Sequence, residues 1–248
     1  MNGSGASLYV HEVFPSFQGE GLYCGAPQVF VRLSGCNLAC AYCDTPEARE
    51  HTREARVSDW EGERAGIANP VAAEDLVRVV SSLWTGAMHS VSLTGGEPLL
   101  QAEALAVLLP RLKGLGMPVY LETNGTLGEE AGALLPWLDF IAMDVKLPSF
   151  TQGVDLGDAH RGFLRAVRGA DVFLKMVVDM DTSPEEVAAA CMQLGEEAAR
   201  LTLVLQPAWK EGGVALTPRR ARDLALVAAP LFAAVRVLPQ AHKAWGIR

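Results

Sequence analysis

The chain has 248 residues, half of them apolar and a fifth charged, so it can bury a large core, which argues against disorder. The 29 acidic and 21 basic residues give a net charge of −8, which argues against a nonspecific nucleic-acid partner. We find neither a secretion signal nor an apolar run of the roughly 18–20 residues that a membrane span needs, and we expect a cytoplasmic protein with no membrane partner.

Short apolar runs alternate with helical patterns along the chain. The runs are apolar at consecutive positions, which is typical of parallel strands buried on both faces. Strands are predicted at residues 29–33, 90–93, 119–122, 140–145, 172–178, 201–205 and 235–238. Helices are predicted at 74–83, at 183–200 and after Thr217, the last two from their cap and proline start signals.

The alternation of strands and helices predicts an α/β fold with a parallel sheet and right-handed crossovers. About six units are fewer than the eight of a closed barrel, so we predict an open, partial parallel β/α barrel. A doubly wound sheet is the alternative, because periodicity does not separate the two. We expect one domain over 1–248, with the polar stretch 47–70 as a surface insertion that has room for a short helix.

Three of the five cysteines, Cys36, Cys40 and Cys43, lie within eight positions directly after a predicted strand. Such a group indicates one soft-metal centre, because thiolates hold iron–sulfur clusters. A structural zinc site or an ordinary electron-transfer cluster needs four protein ligands, and the further candidates Cys24 and His51 have no customary spacing. Three thiolates alone leave one iron open to a small molecule. A zinc or redox-sensing cysteine module is the alternative from another class.

Polar residues follow several predicted strands, at the end where a parallel barrel carries its active site. After the second strand come Thr94, Gly95, Gly96, Glu97 and Pro98, where two glycines let the backbone approach a ligand. Further polar strand ends are Glu122 and Asn124, Asp144-Val145-Lys146, and Gln206-Pro207. Any one of these polar groups could simply mark the point where a strand ends in water. That explanation is less convincing for all of them, because they lie at the same end of the sheet.

The cysteine spacing and the Gly-Gly-Glu-Pro string together resemble the radical S-adenosylmethionine (SAM) superfamily. The resemblance implies a [4Fe–4S] cluster on the cluster loop, residues 36–45, whose open iron chelates SAM and cleaves it reductively to a 5′-deoxyadenosyl radical. It also implies a set of SAM-binding residues, which are Tyr42, Gly95, Gly96, Glu97, Asp144, Val145, Lys146, Gln206 and Pro207.

Further motifs narrow the resemblance. They are Phe17-Gln18-Gly19-Glu20-Gly21, Arg32 in the first predicted strand, and Asp44-Thr45 after the last cysteine. This ordered set resembles the 7-carboxy-7-deazaguanine synthases, which are lyases of queuosine-type deazapurine biosynthesis. The resemblance implies conversion of 6-carboxy-5,6,7,8-tetrahydropterin to 7-carboxy-7-deazaguanine with loss of ammonia. It also implies Mg²⁺ on Thr45, a flavodoxin or ferredoxin as electron donor, and a homodimer.

The residue types in an N-terminal substrate-binding segment, 8–35, suit that substrate. Gln18 offers a donor and an acceptor to a pterin edge, Glu20 can accept from an amino group, and Arg32 offers a fork to a carboxylate. By resemblance, Phe17, Gly19 and Thr94 also line the substrate pocket. The alternatives are a structural ion pair for Arg32, a solvated glycine-rich turn for the QGEG string and a helix cap for Thr45.

Another small radical SAM enzyme, such as a glycyl-radical activase, shares the cysteine and glycine motifs but has no need of the QGEG string. Lys146 follows Asp-Val, whereas many family members have Ser-Pro before that lysine. The tail from Pro239 to Lys243 either closes the pocket or is a solvated terminus. Cys24 and Cys191 are predicted to be thiols without a role.

Overall fold

The computed structural model describes residues 5–247. The strands are β1 Ser7–Leu8, β2 Val10–Phe17, β3 Pro27–Leu33, β4 Glu54–Ser58, β5 Glu63–Ala68, β6 Val71–Ala72, β7 Ser90–Gly95, β8 Val119–Thr123, β9 Phe140–Asp144, β10 Val172–Val178, β11 Thr202–Pro207, β12 Trp209–Lys210, β13 Gly213–Val214 and β14 Ala234–Val237. The α-helices are α1 Ala73–Leu83, α2 Ala102–Gly114, α3 Gly128–Leu134, α4 Gly157–Ala166, α5 Pro184–Gln193, α6 Pro218–Ala228 and α7 Ala241–Trp245.

Ten of these strands form one sheet, in the order β14-β11-β10-β9-β8-β7-β3-β2-β4-β5. From β3 to β14 the neighbours are parallel and follow one another in chain order. A doubly wound sheet reverses its strand order at a switch point, and this one does not, so that alternative is excluded. Helices α1 to α6 each connect one parallel strand to the next, which confirms the open, partial β/α barrel of about six units.

The predicted strands agree with the observed ones to within two residues at each end. The helix predicted at 183–200 is wrong in its second half. Ser183 caps α5 by accepting a hydrogen bond from the Glu186 amide, but the helix ends at Gln193 and a 3₁₀ turn, Gly195–Arg200, follows. Gly195 has a φ of +72°, a left-handed conformation that suits glycine and ends an α-helix.

The polar stretch 47–70 forms no α-helix but extends the sheet. After the 3₁₀ turn Pro46–Arg49, β4 pairs in parallel with β2, and β5 pairs antiparallel with β4. β5 is almost entirely exposed, so it has no alternation of apolar residues that could have predicted it. Its polar side chains suit a sheet edge, because charged edges resist pairing with other chains.

Apolar residues of the helices cover the outer face of the sheet. Leu76 and Val80 of α1 and Leu105 and Leu109 of α2 are fully buried in the main core. The inner face at the carboxyl ends of the strands carries buried polar groups instead. Over residues 5–247, no helix is long and apolar enough to cross a membrane.

Candidate active site

A cavity of about 730 Å³ lies at the carboxyl ends of the parallel strands, where such barrels carry their active sites. Its volume is in the usual range for small-molecule sites. Of the residues predicted for the site, those lining the cavity are Phe17, Gln18, Gly19, Glu20, Arg32, Cys36, Cys40, Tyr42, Cys43, Thr45, Thr94, Gly95, Gly96, Asp144, Lys146 and Gln206. Three predicted SAM-binding residues, Glu97, Val145 and Pro207, do not line it.

The cluster loop after β3 brings the three predicted thiols to one wall of this cavity. Cys36, Cys40 and Cys43 are all half-buried and free of disulfides. Two hydrogen bonds fix the backbone of the loop. Arg49 Nη2 donates to the Cys40 carbonyl at 2.9 Å, and the Ala41 amide donates to the Phe150 carbonyl at 3.0 Å. The wall therefore presents three soft ligands on a braced backbone.

The spacing of these thiols does not suit a single metal ion. In the described part of the chain, the group of three His, Cys, Asp or Glu ligand atoms within 4.8 Å of one another is Glu20, Asp44 and His242, not the cysteines. Neither Cys24 nor His51 lines the cavity. Three separated thiols without a fourth ligand suit a multinuclear iron–sulfur cluster better than a closed, four-ligand zinc site.

The glycines after β7 let two backbones meet. A Cβ on Gly96 would lie 1.9 Å from the Gly35 carbonyl oxygen, and a Cβ on Gly95 would lie 2.2 Å from that of Leu33. The Gly96 amide donates to the Leu33 carbonyl at 3.0 Å, and the Glu97 amide donates to the Gly35 carbonyl at 2.7 Å. The two glycines thus let the end of β7 pack directly against the start of the cluster loop.

Glu97 has a structural position rather than the predicted one facing SAM. Its side chain is fully buried and accepts hydrogen bonds from the Leu99 amide at 3.1 Å, Thr123 Oγ1 at 2.9 Å and the Asn124 amide at 2.8 Å. Burial raises the pKa of Glu97 to about 7, and the three donors oppose that rise. The carboxyl group therefore clamps the end of β7 to the end of β8.

Val145 and Pro207 lie outside the cavity because successive side chains of an extended chain point to opposite faces. Asp144 and Lys146 face the cavity, so Val145 between them faces the core. Gln206 also faces the cavity, and the next residue, Pro207, does not.

Lys175, which the sequence did not indicate, lies at the centre of the site. Its Nζ atom binds Glu20 Oε2 and lies 3.2 Å from Asp144 Oδ1, while Lys146 Nζ lies 2.9 Å from Asp144 Oδ2. Burial alone would lower the pKa of Lys175, but the carboxylates of Asp144 and Glu20 hold that pKa well above its usual value. Burial alone would raise the pKa of Glu20, but Lys175 and Gln240 bring it down to about 2. The only sign of this role in the sequence is that Lys175 interrupts an otherwise apolar predicted strand.

Two further features of the cavity lining fit a nucleoside ligand. The Tyr42 ring packs edge-on against Phe150 with centroids 4.9 Å apart, and Lys146 Nζ lies 5.0 Å from the Tyr42 centroid. Gln206 is 1 % exposed, and its Oε1 atom has no hydrogen-bond partner within residues 5–247. Buried polar atoms are normally paired, so this amide suits a donor on a bound molecule.

The substrate-side string is braced by the protein itself. Gln18 Nε2 donates to Glu122 Oε1 at 2.8 Å and to Gln28 Oε1 at 3.1 Å, and Gln18 Oε1 accepts from the Glu20 amide at 3.1 Å. Glu122 also accepts from Thr94 Oγ1 at 3.1 Å. These hydrogen bonds use the side-chain amide of Gln18 to hold the turn in place. The charged group that the turn presents to the cavity is the Glu20 carboxylate. The solvated-turn alternative for QGEG is therefore wrong.

The C-terminal tail packs over this turn instead of being solvated. The Ala241 amide donates to the Gly19 carbonyl at 2.8 Å, and Gln240 Nε2 donates to Glu20 Oε1 at 2.7 Å and Asp44 Oδ2 at 2.9 Å. A Cβ on Gly19 would lie 2.1 Å from His242 Nδ1, so the glycine makes room for the tail. Gln240 and His242 line the cavity, which favours the first of the two predictions for the tail, that it closes the pocket.

Thr45 lies beside this junction. It precedes the 3₁₀ turn Pro46–Arg49, yet its hydroxyl makes no capping hydrogen bond, so the helix-cap alternative is wrong. The threonine lines the cavity next to Asp44. A hydroxyl with carboxylates close by is a donor set that hard cations accept.

Comparisons with known proteins agree with this geometry. The family model described as "Radical SAM superfamily" matches residues 30–172. The 7-carboxy-7-deazaguanine synthase of Geobacter sulfurreducens is 38% identical over 99% of this chain and 99% of its own length. The enzyme of the same name from Methanopyrus kandleri is 39% identical over 95% of this chain and 92% of its own.

Two solved structures share the fold. The crystal structure of QueE from Escherichia coli has a TM-score of 0.63 at 22% identity and covers 95% of both chains. The structure of Streptococcus suis SuiB bound to S-adenosylmethionine has a TM-score of 0.53 at 14% identity, over 83% of this chain and 48% of that one.

Proposed function

Since the chain belongs to the radical SAM superfamily and, within it, to the 7-carboxy-7-deazaguanine synthase family, we propose that it converts 6-carboxy-5,6,7,8-tetrahydropterin to 7-carboxy-7-deazaguanine with loss of ammonia. The observation that carries this proposal is that the Phe17–Glu20 string, Arg32 and the three thiols all line one cavity. A radical enzyme with another substrate needs the thiols but not that string.

The enzyme uses a [4Fe–4S] cluster and SAM, which, when bound, supply the radical that takes a hydrogen from the substrate. Cys36, Cys40 and Cys43 would hold the cluster and would leave one iron for SAM. Tyr42, Lys146 and Gln206, which line the same cavity, would bind SAM. The unpaired Gln206 Oε1 supports this assignment.

Two glycines and one acidic residue complete the SAM site. Gly95 and Gly96 line the cavity beside Cys36, and their backbone groups would bind the ligand. Asp144 contributes its carboxylate from the end of β9, where Lys146 and Lys175 form ion pairs with it.

The chain's own residues bind and orient the substrate. Glu20 is ionised at neutral pH, because its pKa is about 2, so it accepts from the amino edge of the pterin. Arg32 donates to the substrate carboxylate, while Phe17, Gly19 and Thr94 form the surrounding wall. Gln18 acts mainly by fixing the turn that presents Glu20.

Thr45 would hold Mg²⁺ through its hydroxyl, and the substrate carboxylate would supply a further ligand. Mg²⁺ prefers oxygen ligands and keeps several waters, so one protein ligand and one substrate ligand suffice. Thr45 lines the cavity and its hydroxyl makes no capping hydrogen bond, which supports this role. The ion would fix the orientation of the carboxylate.

Two partners follow from the family resemblance. An external one-electron donor, flavodoxin or ferredoxin, reduces the cluster, and the enzyme acts as a homodimer. Replacing a chemical reductant by reduced flavodoxin tests the first, and light scattering of the loaded protein tests the second. The cytoplasmic location stays a prediction from the sequence.

The test of the function is an anaerobic assay of the reconstituted protein with the carboxypterin, SAM, Mg²⁺ and a reductant. We expect 7-carboxy-7-deazaguanine and one equivalent of ammonia, identified by ultraviolet absorbance and mass. Accumulation of 5′-deoxyadenosine without that product would instead favour another radical SAM enzyme. Colourless protein with bound zinc and no sulfide would defeat both readings.

A further inference from the structure

Three neighbouring strands place a row of charged residues on the cavity wall. Glu12 on β2 pairs with Arg32 on β3 on one side and with Arg56 on β4 on the other. Residues directly opposite one another in a sheet point to the same face. All three side chains accordingly line the cavity.

This row carries an excess of positive charge. Arg32 Nε lies 2.8 Å from Glu12 Oε1, and Arg56 Nη2 lies 3.2 Å from Glu12 Oε2. One carboxylate thus stands between two guanidinium groups, each of which keeps its charge throughout the physiological range. The net single positive charge faces a cavity proposed to receive a carboxylate, and the planar guanidinium matches that group.

His11 fixes the orientation of Arg56 without adding charge. Arg56 Nη2 lies 2.9 Å from His11 Nε2. A guanidinium only donates hydrogen bonds, so His11 Nε2 accepts and the imidazole is neutral. Burial lowers the pKa of His11, which keeps it neutral despite the neighbouring Glu12.

We propose that Arg56 is a second residue that recognises the substrate carboxylate, together with Arg32; this inference rests on the proposed function. The side chain of Arg56 is 53% exposed and that of Arg32 is 19% exposed, so Arg56 stands nearer the entrance. Arg56 reaches this position because it lies on β4, in the β4–β5 hairpin. The polar stretch predicted as a surface insertion is thereby part of the substrate site.

The experiment compares two ligands across three variants of the cluster-loaded protein. The ligands are 6-carboxytetrahydropterin and tetrahydropterin without the carboxylate, and the readout is the anaerobic dissociation constant from titration calorimetry. For Arg56→Ala we expect about tenfold weaker binding of the carboxylated ligand and no change for the other, as fits one partly exposed charge-assisted bond. Arg56→Lys should recover part of the loss, because it keeps the charge without the fork.

Arg64→Ala is the matched control, since Arg64 lies in the same hairpin but pairs with Asp59 outside the cavity lining. It should bind both ligands like the wild type. Equal weakening of both ligands by Arg56→Ala, or no weakening of either, would overturn the inference while the wild type still forms product. A wild type that binds neither ligand and forms no product would refute the proposed function and the inference with it.

Discussion

Lys175 of β10 forms a buried ion pair with Glu20, which lies 155 residues earlier in the chain. The pair joins β10 of the barrel to the turn between β2 and β3, within the substrate-binding segment. Lys175 also lies 3.2 Å from Asp144, at the end of the neighbouring strand. One cation therefore holds together two carboxylates that we propose bind different ligands.

Replacing Lys175 with Met should destabilise the protein in a pH-dependent way. The variant leaves a buried carboxylate without its cation, which costs roughly 3–5 kcal/mol at neutral pH. In the wild type, the pKa of Glu20 is lowered to about 2, so its contribution is present above pH 4.5 and is lost as the pH falls towards 2. In the variant, burial raises that pKa, so protonation relieves the cost. Urea unfolding should show the deficit shrinking from pH 7 to pH 5, and an equal deficit at both would contradict the ion pair.

Glu97→Gln should destabilise the junction of β7 and β8. Glutamine has the same size as glutamate, but its NH₂ group would face one of the groups that now donate a hydrogen bond to the carboxylate, such as the Asn124 amide. A buried donor left unpaired costs about 1–3 kcal/mol in the free energy of unfolding. Thr123→Val removes one donor to Glu97 and also the acceptor of the Gly125 amide at 3.2 Å, so it too should cost about 1–3 kcal/mol. If denaturant unfolding places Glu97→Gln level with the wild type, the clamp assignment is wrong.

Gly96→Ala should displace the cluster loop. The new Cβ would lie 1.9 Å from the Gly35 carbonyl oxygen and 3.1 Å from Cys36 Cβ, so the backbone has to move. We expect lower iron and sulfide per chain after reconstitution, and a loss of roughly 1–3 kcal/mol from overpacking. Gly114→Ala, at the end of α2, is the control, because nothing lies within 4 Å of its Cβ. Full cluster loading of Gly96→Ala would refute the close backbone approach.

Gln240→Ala should release the C-terminal tail. The amide bonds two carboxylates, Glu20 and Asp44, and hydrogen bonds to charged groups are worth about 1.5–3 kcal/mol each. Lys243→Ala removes only a partly exposed contact of 3.3 Å to Asp44, which is worth at most ~1 kcal/mol. Hydrogen exchange should therefore be much faster over 239–247 in Gln240→Ala than in Lys243→Ala, with a raised KM for the pterin. The same protection in both variants would show that the tail is held elsewhere.

Much of the fold could be predicted because the barrel strands are apolar at consecutive positions and follow one another in chain order. The three thiols and the QGEG string could be predicted because each lies close together in the sequence. Glu97, Val145 and Pro207 were predicted to face SAM, but they do not line the cavity. Val145 and Pro207 lie next to cavity-facing residues, and alternation sends their side chains to the other face. Glu97 is instead held by three buried hydrogen bonds that the sequence does not display.

The missed residues depend on contacts that a single sequence does not display. Lys175 interrupts an apolar run, and only the sheet shows that Glu20 and Asp144 meet it. Arg56 enters the site through the pairing of a polar, partly exposed strand with β2. For the tail, the sequence left open whether it closes the pocket, and only the structure shows that Gln240 returns across the cavity to Glu20.

The central claim is that one iron of the cluster has no ligand from this chain. Mössbauer spectroscopy of the isotopically enriched, reconstituted cluster, recorded with and without SAM, tests it most directly. We predict that SAM changes the signal of one iron in four and leaves the other three, which the thiolates hold. Four irons that are unaffected by SAM would show that a side chain fills the last position, and the proposed chemistry would then be contradicted.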